Sequence, residues 1–380
     1  MAESPVLNQA ARLVQQVQAG TPADEALRGA LTQDRHFTAP GERRAVSRAV
    51  FAYYRWWRWL SPKESVQRQL AAALALQDRF NRNPASFKPE ALAARAVPDW
   101  VEAEVDALPG WHAALQHEPI LWIRPKRGLE QTVAAALRDC RPADLAQLST
   151  FNFPLSALRY GGLTDLYRTP EFQKGDFEIQ DLASQLVGLA CAPQPGETWW
   201  DACAGEGGKL LHLSDLMQNK GLLWASDRSA RRLAKLKERA ARAQVFNFRA
   251  AAWEGGVKLP TKTKFDGILV DAPCSGLGTW QRNPHARWTT QPKDVHELAA
   301  VQRRLLTHVA PALKPGGRLI YAVCTLARAE TTALAAAFSD AHPELTPEPL
   351  ASLGSALPAL TLLPQQVHAN GMFIAAWKKQ

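Results

Sequence analysis

Two of the five cysteines in this 380-residue chain stand where apolar runs give way to turn formers. Cys274 lies in Asp271-Ala-Pro-Cys274-Ser-Gly-Leu-Gly, and Cys324 in Tyr321-Ala-Val-Cys324-Thr325. A thiol is nucleophilic only as its thiolate, which needs a partly open, electropositive setting. The bland alternative is a pair of small buried hydrophobes, and that is the expectation for Cys140 and Cys191. The cysteines form no CxxC pair, so neither a disulfide framework nor a metal site is expected.

A second constellation is Asp201-Ala-Cys203-Ala204-Gly205-Glu206-Gly207-Gly208-Lys209. Its glycines let backbone approach a ligand closely, and a helix starting there favours a negative group. It is no Walker loop, because Leu210 replaces the Ser or Thr after the lysine, and it lacks the third glycine of GxGxxG. Asp227 follows Gly205 at the interval, roughly 20 residues, at which a carboxylate meets a ribose diol. Asp227 or Ser229 could equally cap the next helix. Taken together, loop and carboxylate suit a nucleoside cofactor without phosphates, S-adenosylmethionine better than NAD.

These residues need a scaffold that brings distant segments to one edge. The apolar runs ETWWDACA, GLLWASD, AQVFNF, FDGILVDAP and GGRLIYAVC have strand length and alternate with helical or turn segments. That alternation predicts a parallel sheet covered on both faces, with GMFIAAWKK as an added edge strand. In such a sheet ligands bind beyond the carboxyl ends of the strands, where both motif cysteines would lie. The N-terminal residues are expected to be helical, from apolar spacings of three and four, with a short strand–helix–strand stretch after them. The expected organisation is multidomain: an all-α domain over 1–115, a small α+β segment over 116–168, and a Rossmann-like α/β domain over 169–380.

On these motifs the sequence resembles the RsmB/Sun family of S-adenosylmethionine-dependent RNA cytosine-5 methyltransferases. Further matches are Phe172-x-Lys-Gly-x-x-x-Ile-Gln-Asp-x-x-Ser-Gln185, Arg282-Asn-Pro284 with Arg287-Trp288, and Leu363-Pro-Gln365. The N-terminal helices are similar to the NusB-like RNA-binding domain of bacterial rRNA members. The resemblance implies a class I methyltransferase sheet and Cys324 as nucleophile towards cytosine C6, with Cys274 assisting proton removal and release. It implies that Asp271 meets the base's Watson–Crick edge, and that Cys203, Ala204, Gly205, Glu206, Gly207, Gly208, Lys209, Asp227 and Asp271 hold S-adenosylmethionine. Family members often carry an acid after the third strand, whereas Arg249-Ala-Ala-Ala252-Trp253 offers none.

The net charge of +9 is compatible with a polyanionic partner. Arg282, His285, Arg287 and Trp288 mix charge with aromatic surface and are expected to contact RNA. Arg43, Arg44, Arg48, Arg55 and Arg58, interleaved with tyrosines and tryptophans, could form a second RNA surface, although the tryptophans are better placed in a helical core. Ribosomal RNA is the favoured partner and tRNA the second, against the rival of a non-catalytic NusB-like RNA-binding factor. No membrane segment or export signal is expected, which points to the cytoplasm; the oligomeric state leaves no pattern in the sequence, and a monomer is the default expectation.

Overall fold

The computed structural model describes residues 5–33, 40–106, 108–143 and 156–380. They fall into two compact units. The first is Met1–Pro119 with Leu163–Asp165 and Thr279–Thr290; the second is Ile120–Gly162 with Leu166–Gly278 and Gln291–Gln380.

The first unit is helical. Pro5–Gln18, Pro40–Arg55 and Val66–Arg82 are its long helices, and the last starts at Ser65, whose Oγ accepts from the Arg68 N–H. Val46, Val50, Tyr53 and Tyr54 recur at helical spacing and bury with Val14 and Leu70. Trp56 is fully buried beside Phe80 and Leu92, as expected for a core tryptophan, whereas Trp57 is exposed and departs from that expectation. Arg55 is buried too: its guanidinium donates to Gln77 Oε1 at 2.9 Å and to the Gln281 carbonyl at 3.3 Å. It contributes nothing to an arginine surface.

The second unit holds two sheets. The smaller is antiparallel, with β1 (Leu121–Pro125), β2 (Cys140–Pro142), β3 (Leu158–Tyr160) and β4 (Phe177–Ile179) in the order β2-β3-β1-β4. Its edge strand β4 comes from the segment Phe172–Gln185 quoted above, beyond residue 168. The larger sheet comprises β5 (Thr198–Asp201), β6 (Leu222–Asp227), β7 (Phe248–Ala252), β8 (Phe265–Asp271), β9 (Leu313–Val323), β10 (Leu345–Pro347), β11 (Ala359–Leu362) and β12 (Met372–Lys379). Its order is β10-β12-β9-β8-β5-β6-β7, with β11 also paired to β12. The ladders from β7 to β9 are all parallel.

Burial on both faces explains the unbroken apolar runs. In β5, Trp199 packs into the core on one face and Trp200 into the core on the other. In β9, Ile320 and Ala322 serve the first core, and Leu319, Tyr321 and Val323 the second.

Two expectations about the sheet need correction. The third strand is Phe248–Ala252, not AQVFNF, because Gln244 takes a left-handed turn and the register with β6 starts only at Phe248. GMFIAAWKK is not an edge: β12 lies antiparallel between β9 on one side and β10 and β11 on the other. Those two strands of three and four residues are too short to leave a pattern in sequence. No described helix is long and apolar enough to cross a membrane.

Candidate active site at the strand tips

The chain runs from β5 outward to β6 and β7, then returns to β8 and β9 on β5's other side. The strand order therefore reverses at β5 and β8, and their carboxyl ends flank the crevice where such sheets bind ligands. A cleft of about 540 Å³ lies there, a size suited to a nucleoside-sized ligand.

The glycine loop leaves β5 and enters the helix Gly208–Leu216. Gly207 caps that helix at φ +86, and a Cβ there would sit 2.8 Å from Leu236 Cγ, so both conformation and packing require glycine. Asp227, buried at the tip of β6, accepts the Gly205 N–H at 3.1 Å and the Ser229 N–H at 2.8 Å. Ser229 itself caps the following helix by accepting from the Arg232 N–H. A carboxylate has about four acceptor positions, so Asp227 can hold the loop and still meet a diol. Cys203, Ala204, Gly205, Glu206, Gly208, Lys209, Asp227 and Asp271 all line the cleft, whereas Gly207 supports it from behind. Backbone donors, one free-edged carboxylate and no phosphate cradle fit S-adenosylmethionine.

Cys274 and Cys324 also line this cleft, with their Sγ atoms 3.4 Å apart. Both are half-buried, and none of the five cysteines forms a disulfide, which would need about 2.05 Å. The Cys274 thiol is raised well above its usual range by its hydrogen bond with Cys324, then by burial and by the charges of Cys324 and Glu330. Cys191 is fully buried in the core, whereas Cys140 is half-buried in β2.

Lys209 projects from the first turn of its helix and donates to Asp271 Oδ2 at 2.6 Å. Burial lowers its pKa, but Asp271 outweighs that and the net shift is upward; Cys324 and Asp201 add to it. Asp201, at the tip of β5, is buried and pushed up to about 8 by burial first and by Asp271 next. Neither of its oxygens makes a hydrogen bond of ordinary geometry among the described residues, although the Cys203 N–H and Lys209 lie close enough to oppose the shift.

Sequence reasoning missed the acid after the third strand. Trp253 and Glu254 both line the cleft, so a carboxylate stands there, just past the stretch Arg249–Trp253. It missed Glu330 as well, which ties both cysteine turns.

The expected RNA-contacting residues belong to the first unit and divide sharply. Arg282 is exposed; His285 is half-buried with its ring edge-on to Tyr54; Trp288 is half-buried and donates to the Tyr54 carbonyl. Arg287 is fully buried, donating to the carbonyls of Ala96 at 2.8 Å, Leu115 at 3.0 Å and Trp280 at 3.3 Å. It is a structural cation, because it is sealed from solvent and both its Nη atoms donate to backbone, although its Nε finds no partner among the described residues; it is withdrawn as an RNA contact.

A doubly wound sheet with this strand order, glycine loop and strand-tip cleft defines the Rossmann-like methyltransferase fold. The profile of the family described as 16S rRNA methyltransferase RsmB/F matches residues 188–378. The chain belongs to that family. A probable ribosomal RNA small subunit methyltransferase B of Synechocystis is 36% identical over 74% of this chain and 64% of that protein. Its Bacillus subtilis counterpart is 33% identical over 74% of this chain and 66% of that protein. The chain thus spans just under two thirds of these relatives' length. Among solved structures, NSun6 from Pyrococcus horikoshii with SFG is 28% identical, with a TM-score of 0.52, over 59% of this chain and 58% of that one. A methyltransferase homolog protein from Pyrococcus horikoshii is 26% identical, with a TM-score of 0.56, over 71% of this chain and 90% of that one.

Proposed function

We propose that the chain is an S-adenosylmethionine-dependent RNA cytosine-C5 methyltransferase that acts on 16S ribosomal RNA through a bond between Cys324 and cytosine C6. The thiol pair carries the proposal, because it opens into the same cleft as the glycine loop and Asp227. The family and the names of its relatives support an rRNA substrate, and the neighbour solved with SFG, an S-adenosylmethionine analogue, supports the cofactor.

Bound S-adenosylmethionine would supply an electrophilic methyl group. Carbon 5 of cytosine is too weak a nucleophile to take it unaided. Cys324 Sγ adds as thiolate to C6, and the C5–C6 π pair moves into the ring. Asp271 Oδ1, the oxygen not taken by Lys209, accepts from the base's exocyclic amine. Once C5 carries the methyl group that the sulfonium would give up as its S–CH3 bond breaks, leaving a neutral thioether, the C5 proton passes to Cys274 and the Cys324–C6 bond breaks as the double bond returns.

The two thiols suit this order of events. The hydrogen bond with Cys324 and the charge of Cys324 are two of the causes that raise Cys274, beside burial and the charge of Glu330. When Cys324 Sγ bonds to carbon the two that come from Cys324 vanish, the Cys274 pKa falls, and its proton can leave to solvent before the C5 proton arrives. A paired base would cost a few kcal/mol to unstack, so a loop or partly assembled RNA is the easier substrate.

The test is a denaturing gel with labelled RNA. Cys324→Ala abolishes methylation without an adduct, and Cys274→Ala leaves a trapped protein–RNA adduct. An adduct formed by Cys324→Ala instead would reverse the roles. Bisulfite sequencing of RNA from cells with and without the protein then separates ribosomal RNA from tRNA.

A further inference from the structure

We propose that Glu330 is the positioning residue of the thiol pair: one buried carboxylate that clamps the Cys274 turn to the Cys324 turn and makes the two thiols unequal. The inference rests on the function proposed above.

Glu330 sits in a short helical turn, Arg328–Glu330, just after β9, and is fully buried. Its carboxylate oxygens, Oε1 and Oε2, accept donors from both cysteine turns. Oε1 accepts the Ser275 N–H at 2.9 Å and Gln302 Nε2 at 2.8 Å. Oε2 accepts Thr325 Oγ1 at 3.0 Å and, through a short hydrogen bond, Ser275 Oγ. Ser275 and Thr325 are the residues that directly follow Cys274 and Cys324, and their hydroxyls also meet at 2.8 Å.

The clamp is itself held. Gln302 Nε2 also donates to the Pro273 carbonyl, and Tyr321 Oη donates to Gln302 Oε1 at 2.9 Å and to the Glu330 carbonyl at 2.7 Å. A second tie lies on the far side of the turn: Gly278 N–H donates to the Cys324 carbonyl at 3.1 Å. A Cβ on Gly278 would lie 2.2 Å from the Gly371 carbonyl oxygen, so that approach admits only glycine.

Glu330 makes no ion pair with Lys or Arg among the described residues, so its charge rests on these donors alone. Such a carboxylate is costly to bury and is worth retaining only if the charge does something. It acts on the thiols unevenly. The charge of Glu330 is among the causes that raise Cys274, and it therefore disfavours a thiolate there. The proton shared by the pair stays on Cys274, and Cys324 is left as the nucleophile.

Glu330→Gln removes the charge and sets an amide NH2 against donors that need acceptors; Glu330→Asp keeps the charge on a shorter arm. The purified full chain is alkylated with iodoacetamide across pH, and each cysteine is followed by peptide mass spectrometry, with thermal unfolding as a check on folding. In Glu330→Gln, the alkylation midpoint of Cys274 moves down by about one pH unit, and the preference for Cys324 at low pH shrinks. Methyl transfer falls about 10²-fold in kcat with KM for RNA little changed, as expected when reacting groups are displaced by about an ångström. Glu330→Asp keeps the Cys274 midpoint high while losing kcat. If Glu330→Gln does not fold, Ser275→Ala, which removes one tie and no charge, must lower kcat without moving the Cys274 midpoint. Unchanged alkylation profiles in a folded Glu330→Gln protein overturn the proposal. The alkylation needs no RNA or cofactor, so it decides the clamp even if methylation of cytosine proves wrong.

Discussion

Two regions of this protein gather side chains of the types that bind or modify nucleotides, and they use them in opposite ways. In the first unit, arginines and tryptophans cluster, yet Arg55 and Arg287 are buried and their donors go to Gln77 and to backbone carbonyls. At the strand tips of the second unit, the polar network is just as dense, but the thiols it surrounds line a cleft. Ser275, Thr325 and Gln302 satisfy Glu330, and the half-buried Cys274 and Cys324 face an open cleft. A cluster of reactive-type residues is therefore a working site only where its groups open onto a cleft; Arg55 Nε and Arg287 Nε find no partner among the described residues, but they are sealed.

The largest effect that could break this contrast is on activity. Cys324→Ala is expected to reduce methyl transfer to background in a filter-binding assay with labelled cofactor, while the unfolding midpoint barely moves. Retained activity would put the sulfur outside the chemistry.

Arg287→Ala is expected to act the other way round, on stability. It strips the donor from three carbonyls, and buried orphans of this kind cost about 1–3 kcal/mol each. Urea unfolding should show a loss of about 3 kcal/mol or more. A loss below about 0.5 kcal/mol, the range of surface changes, would return Arg287 to the candidate RNA contacts.

Asp201 sharpens the comparison within the cleft unit, since its carboxylate is buried without ordinary hydrogen bonds. Its pKa rises from 3.8 to about 8 in the folded state, so the folded chain binds a proton that the unfolded chain releases. Stability from this group is full below pH 4 and is lost as pH rises through about 8. Melting temperatures of Asp201→Asn against the parent, measured from pH 5 to pH 9, should diverge in favour of the variant at the alkaline end. Parallel curves would mean that Asp201 is ionised at neutral pH, held by Lys209.

The smallest effect is expected at Arg282, the exposed member of its group. Arg282→Ala should leave stability within about 0.5 kcal/mol and lower the slope of log affinity against log salt for RNA by about one. An unchanged slope would remove this loop from the RNA surface.

Much of the fold was legible because its signals are local. Trp199-Trp200 and Leu319–Val323 face cores on both sides, so central strands appear as unbroken apolar runs. Gly205 and Gly207 mark a turn whose positive φ angles few other residues adopt. The misses are physical too. β7 was misplaced because Phe246 and Asn247 resemble strand residues but lie outside the ladder, Phe246 largely exposed. β12 was taken for an edge because β10 and β11 are too short to betray themselves.

By itself the sequence determined the central strands β5, β6, β8 and β9, the glycine loop and the placing of a cysteine after each of two neighbouring strands. Those features follow from side-chain period and turn chemistry over a few residues. Only the tertiary structure decided that the two sulfurs touch, that Arg287 is consumed by carbonyls from three segments, and that Glu330 binds donors from 5 to 55 positions away. Burial and hydrogen-bond saturation arise between distant segments, so no local pattern can encode them.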